Sequence, residues 1–294
     1  MSEVPHEIYQ EVCSYFPTFF FSEVVQHNDK HSCVMRGEMD GMKVVIKSGD
    51  NQTDAQHEAE FAVHFARYRH ENVISCYTFE VNDEYSHTVY PDLGMDLTEL
   101  MHKKRGFSAQ EIRSMFYSLL SGLLHISQHG VVHTDVKPAN VFVDGEQNLV
   151  IGDFGNSFFT DDLGFVETEW ETGTLNYRAP DVLLGSTKFT NSFDVWGAGC
   201  VLAYMATGKS LFSSRNERAL VREMTQILGG FDEREREIIG KSKLWPFTNR
   251  SQKKALFFDK LGKQGSDLLQ KMLRYTEADR ISLVDALAHP YFDE

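Results

Sequence analysis

Asp135, Lys137 and Asn140 place a carboxylate, an ammonium and an amide within the run His133-Thr134-Asp135-Val136-Lys137-Pro138-Ala139-Asn140, and a second carboxylate opens Asp153-Phe154-Gly155 further on. These groups, in this order, suit phosphoryl transfer. Moving a γ-phosphoryl from ATP to a hydroxyl asks for little covalent chemistry from a protein, which acts by placing the reactants and by neutralising charge on the group in flight. Asp135 is the candidate to accept or orient the proton of the attacking hydroxyl, and Lys137 to lie against the γ-phosphate. Asn140 and Asp153 are the candidate Mg²⁺ ligands, through hard oxygen atoms.

Those side chains need elements to hold them. Val141-Phe142-Val143 and Leu149-Val150-Ile151 flank Asp144-Gly145 and read as a small hairpin with Asn140 at one end and Asp153 at the other, which predicts that both metal ligands share an edge. Ser108 with Glu111 forms a capping box, after which Ile112, Met115, Phe116, Leu119, Leu120, Leu123 and Ile126 make one broad apolar face, the mark of a buried helix. Residues 19–90 are strand-like, with β-branched and aromatic runs at 43–47 and 87–90 and the stretch Phe16-Pro17-Thr18-Phe19-Phe20-Phe21 as a first strand. One helix interrupts them at 54–68, where Phe61, Phe65 and Tyr68 recur at helical spacing.

Composition bounds the class. The 294 residues carry 41% hydrophobic and 12% aromatic content, enough for a proper core, and the net charge of −14 is spread along the chain. An acidic surface disfavours nucleic acid and suits a basic peptide. Cys13, Cys33, Cys76 and Cys200 are far apart without zinc or disulfide spacing, which fits a reducing intracellular compartment. No stretch approaches a membrane span, and the N-terminus has no signal-peptide layout.

Further motifs stand in a fixed order around the first two: Val44-Val45-Ile46-Lys47 before them, then Gly173-Thr174, Tyr177-Arg178-Ala179-Pro180-Asp181, Asp194-Val195-Trp196-Gly197-Ala198-Gly199 and Asp279-Arg280-Ile281-Ser282. Together they resemble the eukaryotic protein kinases over residues 19–292. The resemblance implies an α+β, bilobal fold in a single domain, 1–294: a small β-rich N-lobe at about 1–92, a hinge at 91–93 and a large, mainly helical C-lobe at about 94–294. It also implies that Lys47 contacts the α- and β-phosphates, held by a glutamate on the helix at 54–68. Family spacing selects Glu60 over Glu58, and since residues two apart on a helix face nearly opposite ways, one of them reaches inward. At the hinge, Pro91 offers a carbonyl to adenine and Leu93 an N–H, so the missing proline donor is not one the nucleotide uses. Tyr90 closes the back of the adenine pocket.

The chain departs from the family pattern in places. His27, Asp29 and Ser32 occupy the glycine positions of the phosphate loop, leaving Lys30 or His31 as alternative sources of positive charge, and Thr134 replaces the usual arginine before the catalytic aspartate. A hydroxyl cannot pair bidentately with a phosphate, so activation-loop phosphorylation is not the expected on-switch. Asp181 replaces the glutamate that pairs with Arg280. Lys137 and Gly173-Thr174 are similar to Ser/Thr kinases, and Arg178 and the insert at about 213–262 resemble the CMGC group. His133-Thr134-Asp135 and Asn156 look most like its SR-protein and LAMMER branches, while 54–68 shows no cyclin-binding signature and 172–177 no dual phosphosite. The likeness implies ATP and Mg²⁺ as cofactors and Ser/Thr acceptors near proline or arginine in protein substrates, in a cytoplasmic or nuclear enzyme; the sequence leaves the oligomeric state open, and a monomer is assumed. A pseudokinase scaffold is the competing reading, favoured by the missing glycines and opposed by intact Lys47, Asp135, Asn140 and Asp153.

Overall fold

Five antiparallel strands pair in the order β1-β2-β3-β5-β4, where β1 is Phe19–Asn28, β2 Ser32–Met39, β3 Met42–Asp50, β4 Thr78–Val81 and β5 Tyr85–Pro91. The computed structural model describes residues 6–28, 31–50, 55–168, 172–239 and 254–294. The chain divides into one unit of Met1–Gly94 with Gly152–Gly155 and a second of Met95–Ile151 with Asn156–Glu294. The proposed hinge, 91–93, therefore lies in the first unit.

Strand geometry sends alternate side chains to opposite faces of that sheet. On one face Cys33, Met35, Val44, Ile46 and Val89 pack beneath helix α1 (His6–Tyr15), which contributes Ile8 and Val12, with Phe16 just beyond it. On the other lies helix α2 (Ala55–Arg67), whose Ala62 packs with Cys76 and Tyr90. Lys47 belongs to this second face, in register with Thr88 and diagonal to Tyr90 across the β3–β5 pair.

Two local expectations need correction. Strand β1 begins only at Phe19, and within the aromatic run Phe16 and Phe19 are buried while Phe20 is 73% exposed, because the run crosses from the end of α1 to an alternating edge strand. Tyr68 lies one residue past the end of α2 and is exposed, so the inward stripe consists of Phe61, Ala62 and Phe65.

In the second unit β6 (Met95–Asp96), β8 (Val141–Val143) and β9 (Leu149–Ile151) form a three-stranded sheet. The predicted hairpin pairs Val141 with Ile151, and Asp144 Oδ1 closes its turn by accepting from the amides of Glu146 and Asn148. Strand β7 (Val131–Val132) pairs with β10 (Phe158–Phe159), and β11 (Val166–Glu167) with β12 (Lys188–Phe189). The helices are α3 (Leu97–Lys104), α4 (Ala109–Gln128), α5 (Pro180–Leu183), α6 (Asn191–Thr207), α7 (Glu217–Leu228), α8 (Glu233–Ile239), α9 (Gly262–Met272) and α10 (Leu283–Leu287).

Helix α4 carries the capping box as read: Ser108 Oγ accepts from the Glu111 amide at 3.2 Å, and Glu111 Oε2 accepts from the Ser108 amide at 2.8 Å. Its seven predicted apolar residues are all buried. Helix α6 is buried from Phe193 to Ala206 on every side, which makes it the axis of this unit. Of the predicted insert, 240–253 lies outside the described residues. No helix among the described residues is long and apolar enough to cross a membrane.

Candidate active site

In the first unit the site is built on Lys47. Its ammonium lies 2.7 Å from Glu58 Oε1 and 2.9 Å from Asp153 Oδ1. Burial works against that charge, yet the two carboxylates outweigh it and hold the ammonium above its ordinary range. Asp153 is brought to α2 by its neighbour: the ring of Phe154 stacks on Phe61 at 6.0 Å and lies 4.9 Å from Phe65.

The same two phenylalanines correct the choice of glutamate. Residue 58 precedes Phe61 by three and Ala62 by four, so it shares their inward face, whereas residue 60 points about 200° away from residue 58. Glu58 is accordingly mostly buried against Lys47, and Glu60 is exposed. The phase of the buried stripe on α2 is the signal that outweighs family spacing. Tyr90 is buried on the same face, its hydroxyl 3.5 Å from Glu58 Oε1. Burial, reinforced by the Glu58 charge, pushes that phenol well up, so it stays protonated and directs its hydrogen at the carboxylate.

Pro91 follows Tyr90 and lies opposite Val44 in the β3–β5 register. The next residue is pinned three ways: Asp92 donates its N–H to the Lys43 carbonyl at 3.1 Å, accepts from the Gly94 amide at 2.9 Å and pairs with Arg36 Nε at 2.9 Å. Leu93, between them, makes no backbone N–H hydrogen bond among the described residues. Where a phosphate loop is expected, Asn28 pairs with Ser32 and His27 with Cys33; Asp29 and Lys30 lie outside the described residues. His31, a candidate positive charge there, is instead 2.7 Å from Asp50 Oδ2.

In the second unit the site is built on Asp135, which is 2% exposed. Lys137 Nζ donates to Asp135 Oδ2 at 2.6 Å and to Thr174 Oγ1 at 2.8 Å, the Thr174 amide donates to Asp135 Oδ1 at 2.8 Å, and Asn140 Nδ2 donates to Asp135 Oδ2 at 3.1 Å. Burial alone would raise the carboxyl; the Lys137 hydrogen bond and charge, with the bonds from Thr174, win and hold it below the ordinary carboxylate range. Asn140 Nδ2 also donates to the Asp135 carbonyl at 3.0 Å, which leaves the amide oxygen as its ligand end. Asp135, Lys137 and Asn140 are thus brought together as the motif implied.

A residue 60 positions downstream orients this loop. Asp194, in the first turn of α6, accepts the amides of His133 and Thr134, each at 2.8 Å, and burial pushes its carboxyl up to about 6 against the pull of His133 and those amides. Close approach helps: a Cβ at Gly197 would stand 2.9 Å from the Val136 carbonyl oxygen, so only glycine lets α6 lie this near the loop. The motif containing Asp194 was visible in the sequence, but its role as a double acceptor was not. Further on, Arg178 Nε donates to the Gly173 carbonyl at 3.0 Å and Nη1 pairs with Glu217 at 3.2 Å, while Arg280 reaches the shorter Asp181 at 2.7 Å.

Comparison with known proteins agrees with this arrangement. Residues 21–292 match the protein kinase domain family. The chain is 32% identical over 244 residues to cell division control protein 2 homolog 1 of Trypanosoma brucei brucei, covering 76% of this chain and 79% of that protein. It is 33% identical over 238 residues to mitogen-activated protein kinase 12 of Rattus norvegicus, covering 76% of this chain and 63% of the relative. It is 28% identical over 269 residues to mitogen-activated protein kinase 6 of Arabidopsis thaliana, covering 86% and 66%. The chain belongs to the protein kinase family. Its homologues are CMGC-group kinases of the CDC2-like and mitogen-activated kinds, and its activity class is that of a protein serine/threonine kinase.

Proposed function

We propose that this chain transfers the γ-phosphoryl of ATP to Ser or Thr hydroxyls of protein substrates, with Asp135, Lys137, Asn140, Lys47, Glu58 and Asp153 as its working residues. The observation that carries the reading is a buried carboxylate hydrogen-bonded by three neighbouring residues, two of which, Lys137 and Thr174, keep it ionised. Asp135 then accepts the hydroxyl proton as the substrate oxygen bonds to the γ-phosphorus and the bond to the departing ADP oxygen breaks. Lys137 lies against the transferring group and Lys47, oriented by Glu58, against the α- and β-phosphates. Mg²⁺, when bound, supplies charge neutralisation at the phosphate oxygens, and the Asn140 amide oxygen and the Asp153 carboxylate are hard donors suited to it. The Pro91 carbonyl and Leu93 amide serve adenine, with Tyr90 behind it.

Two features support a finer reading of the substrate. The Gly173 carbonyl already accepts from Arg178 Nε, which makes it a poorer acceptor for an incoming N–H, and proline, which carries none, forgoes nothing there. The net charge of −14, with Asp161, Asp162 and Glu167 exposed, suits arginine-rich peptides, in line with the SR-protein and LAMMER likeness of His133-Thr134-Asp135. Thr134 supports activity without a phosphate on the activation segment. Four free cysteines suit an intracellular setting.

The test is transfer to a basic Ser/Thr peptide library with ATP and Mg²⁺, comparing wild type with Asp135→Asn. Wild type should act and the variant should lose about a hundredfold or more in rate. Equal signals from the two would leave the pseudokinase scaffold as the reading.

A further inference from the structure

We propose that Thr134 and Thr172 form a phosphate-free latch that seats the segment 172–174 against the catalytic loop, with Thr172 as a positioning residue for Asp135 and Lys137. This rests on the kinase reading above and names how that site is held in order. Thr134 Oγ1 donates to the Asn156 carbonyl at 2.5 Å and shares a hydrogen bond with Thr172 Oγ1 at 2.8 Å; Thr172 Oγ1 is itself 3.4 Å from the same carbonyl. Two hydroxyls and one carbonyl thereby join the catalytic loop to both ends of the stretch 156–172. Thr134 and Thr172 are 2% and 4% exposed, and among the described residues no cationic side chain bonds to either hydroxyl.

The backbone is shaped around this contact. Thr134 has φ 63, a left-handed conformation that is a genuine outlier for a β-branched residue, and it persists because Asp194 holds the amides of both His133 and Thr134. Opposite it, Gly173 has φ +74, and a Cβ there would stand 2.5 Å from the Thr134 carbonyl oxygen. The two segments therefore meet backbone to backbone, beside the hydroxyl pair. One residue later Thr174 gives its amide to Asp135 Oδ1 and takes Lys137 Nζ on its hydroxyl. Thr172 is thus two residues from the groups that set the ionisation and aim of the catalytic carboxylate.

The chemistry is neutral throughout, and that determines how the site responds to modification. A phosphate is stabilised by guanidinium or ammonium groups, and neither bonds to this pair. A phosphate placed on Thr172 would be desolvated beside a carbonyl and a hydroxyl, and would open the latch. Order in this segment comes from the unmodified chain.

The full chain, stripped of phosphate by a phosphatase and checked by mass, is assayed with ATP, Mg²⁺ and a Ser/Thr peptide bearing arginines and a proline after the acceptor. Treated wild type should keep its kcat. Thr172→Val, which retains shape and removes the hydroxyl, should lower kcat about ten- to hundredfold with KM for ATP within about twofold, and Thr172→Ser should recover to within about threefold. If the valine variant fails to fold, Thr172→Ala makes the same comparison without a branched side chain. Amide hydrogen exchange at Thr174 gives a readout independent of turnover: removal of the hydroxyl should speed it about tenfold or more, and serine should restore protection. Unchanged exchange overturns the latch, as do an unchanged kcat in the valine or alanine variant and a wild type silenced by phosphatase. Wild type as inactive as Asp135→Asn before phosphatase removes the kinase reading instead, and the exchange result then decides the latch alone.

Discussion

Two residues apart on α2, Glu58 and Glu60 carry the same carboxylate and meet opposite surroundings. Glu58 meets the Lys47 ammonium at 2.7 Å and the Tyr90 hydroxyl; Glu60 is exposed. Charge-assisted bonds of this kind are among the stronger polar contacts, and removing one partner strands the other. We expect Glu58→Gln to lower kcat/KM for ATP-dependent transfer about tenfold or more and Glu60→Gln to leave it within about twofold. Steady-state kinetics on the two variants checks this, and the reverse order would restore Glu60 as the partner. A carboxylate's neighbours also decide its ionisation: Asp135 is held down by Lys137 and Thr174 although buried, whereas Asp194, with its amide partners, is pushed up to about 6 by burial.

At the scale of elements, helix α1 and strand β5 enclose a titratable group that the transfer chemistry does not use. His87 is fully buried on the α1 face of the sheet, with Nδ1 3.0 Å from Ser48 Oγ and the rings of Tyr15, Phe16 and Tyr85 around it. Burial pushes its imidazole down to about 4. The folded chain therefore keeps His87 neutral while the unfolded chain takes up a proton near its ordinary value of about 6.5. The unfolded state binds more protons between those values, so this contribution to stability is present above about 6.5 and is lost as pH falls toward about 4. Urea midpoints measured between about pH 7 and 5 should fall less steeply for His87→Leu than for wild type. Parallel slopes would show that His87 is not the group responsible.

Over the whole molecule, the surplus of acids is the property a substrate meets first. With 43 Asp and Glu against 29 Lys and Arg, we expect the chain to attract cationic peptides at long range, an attraction that salt screens beyond roughly 8–10 Å. Raising NaCl from about 50 to 300 mM should increase KM for an arginine-rich peptide several-fold and leave kcat unchanged, while an uncharged acceptor peptide should show no such dependence. Steady-state assays at the two salt levels decide the matter. Equal salt responses from both peptides would remove electrostatic capture from the account.

Asp135, Lys137 and Asn140 were legible from sequence because they lie within six positions, where one loop conformation brings them together. The capping box of α4 and its apolar face were legible for the same reason: each is a local pattern whose partners are three or four residues apart. Helix α1 was not, although Ile8, Val12 and Phe16 recur at fourfold spacing, because the aromatic strand that follows dominates the region. Which glutamate meets Lys47 depended on the phase of α2 against Phe154, a contact spanning more than ninety residues of chain. The double hold of Asp194 on the loop at 133–134 and the meeting of Thr134 with Thr172 also join distant segments. Residue types and short spacings therefore determined the family and its chemistry; packing between distant elements decided which side chains support it, since only the folded backbone brings those groups within bonding distance.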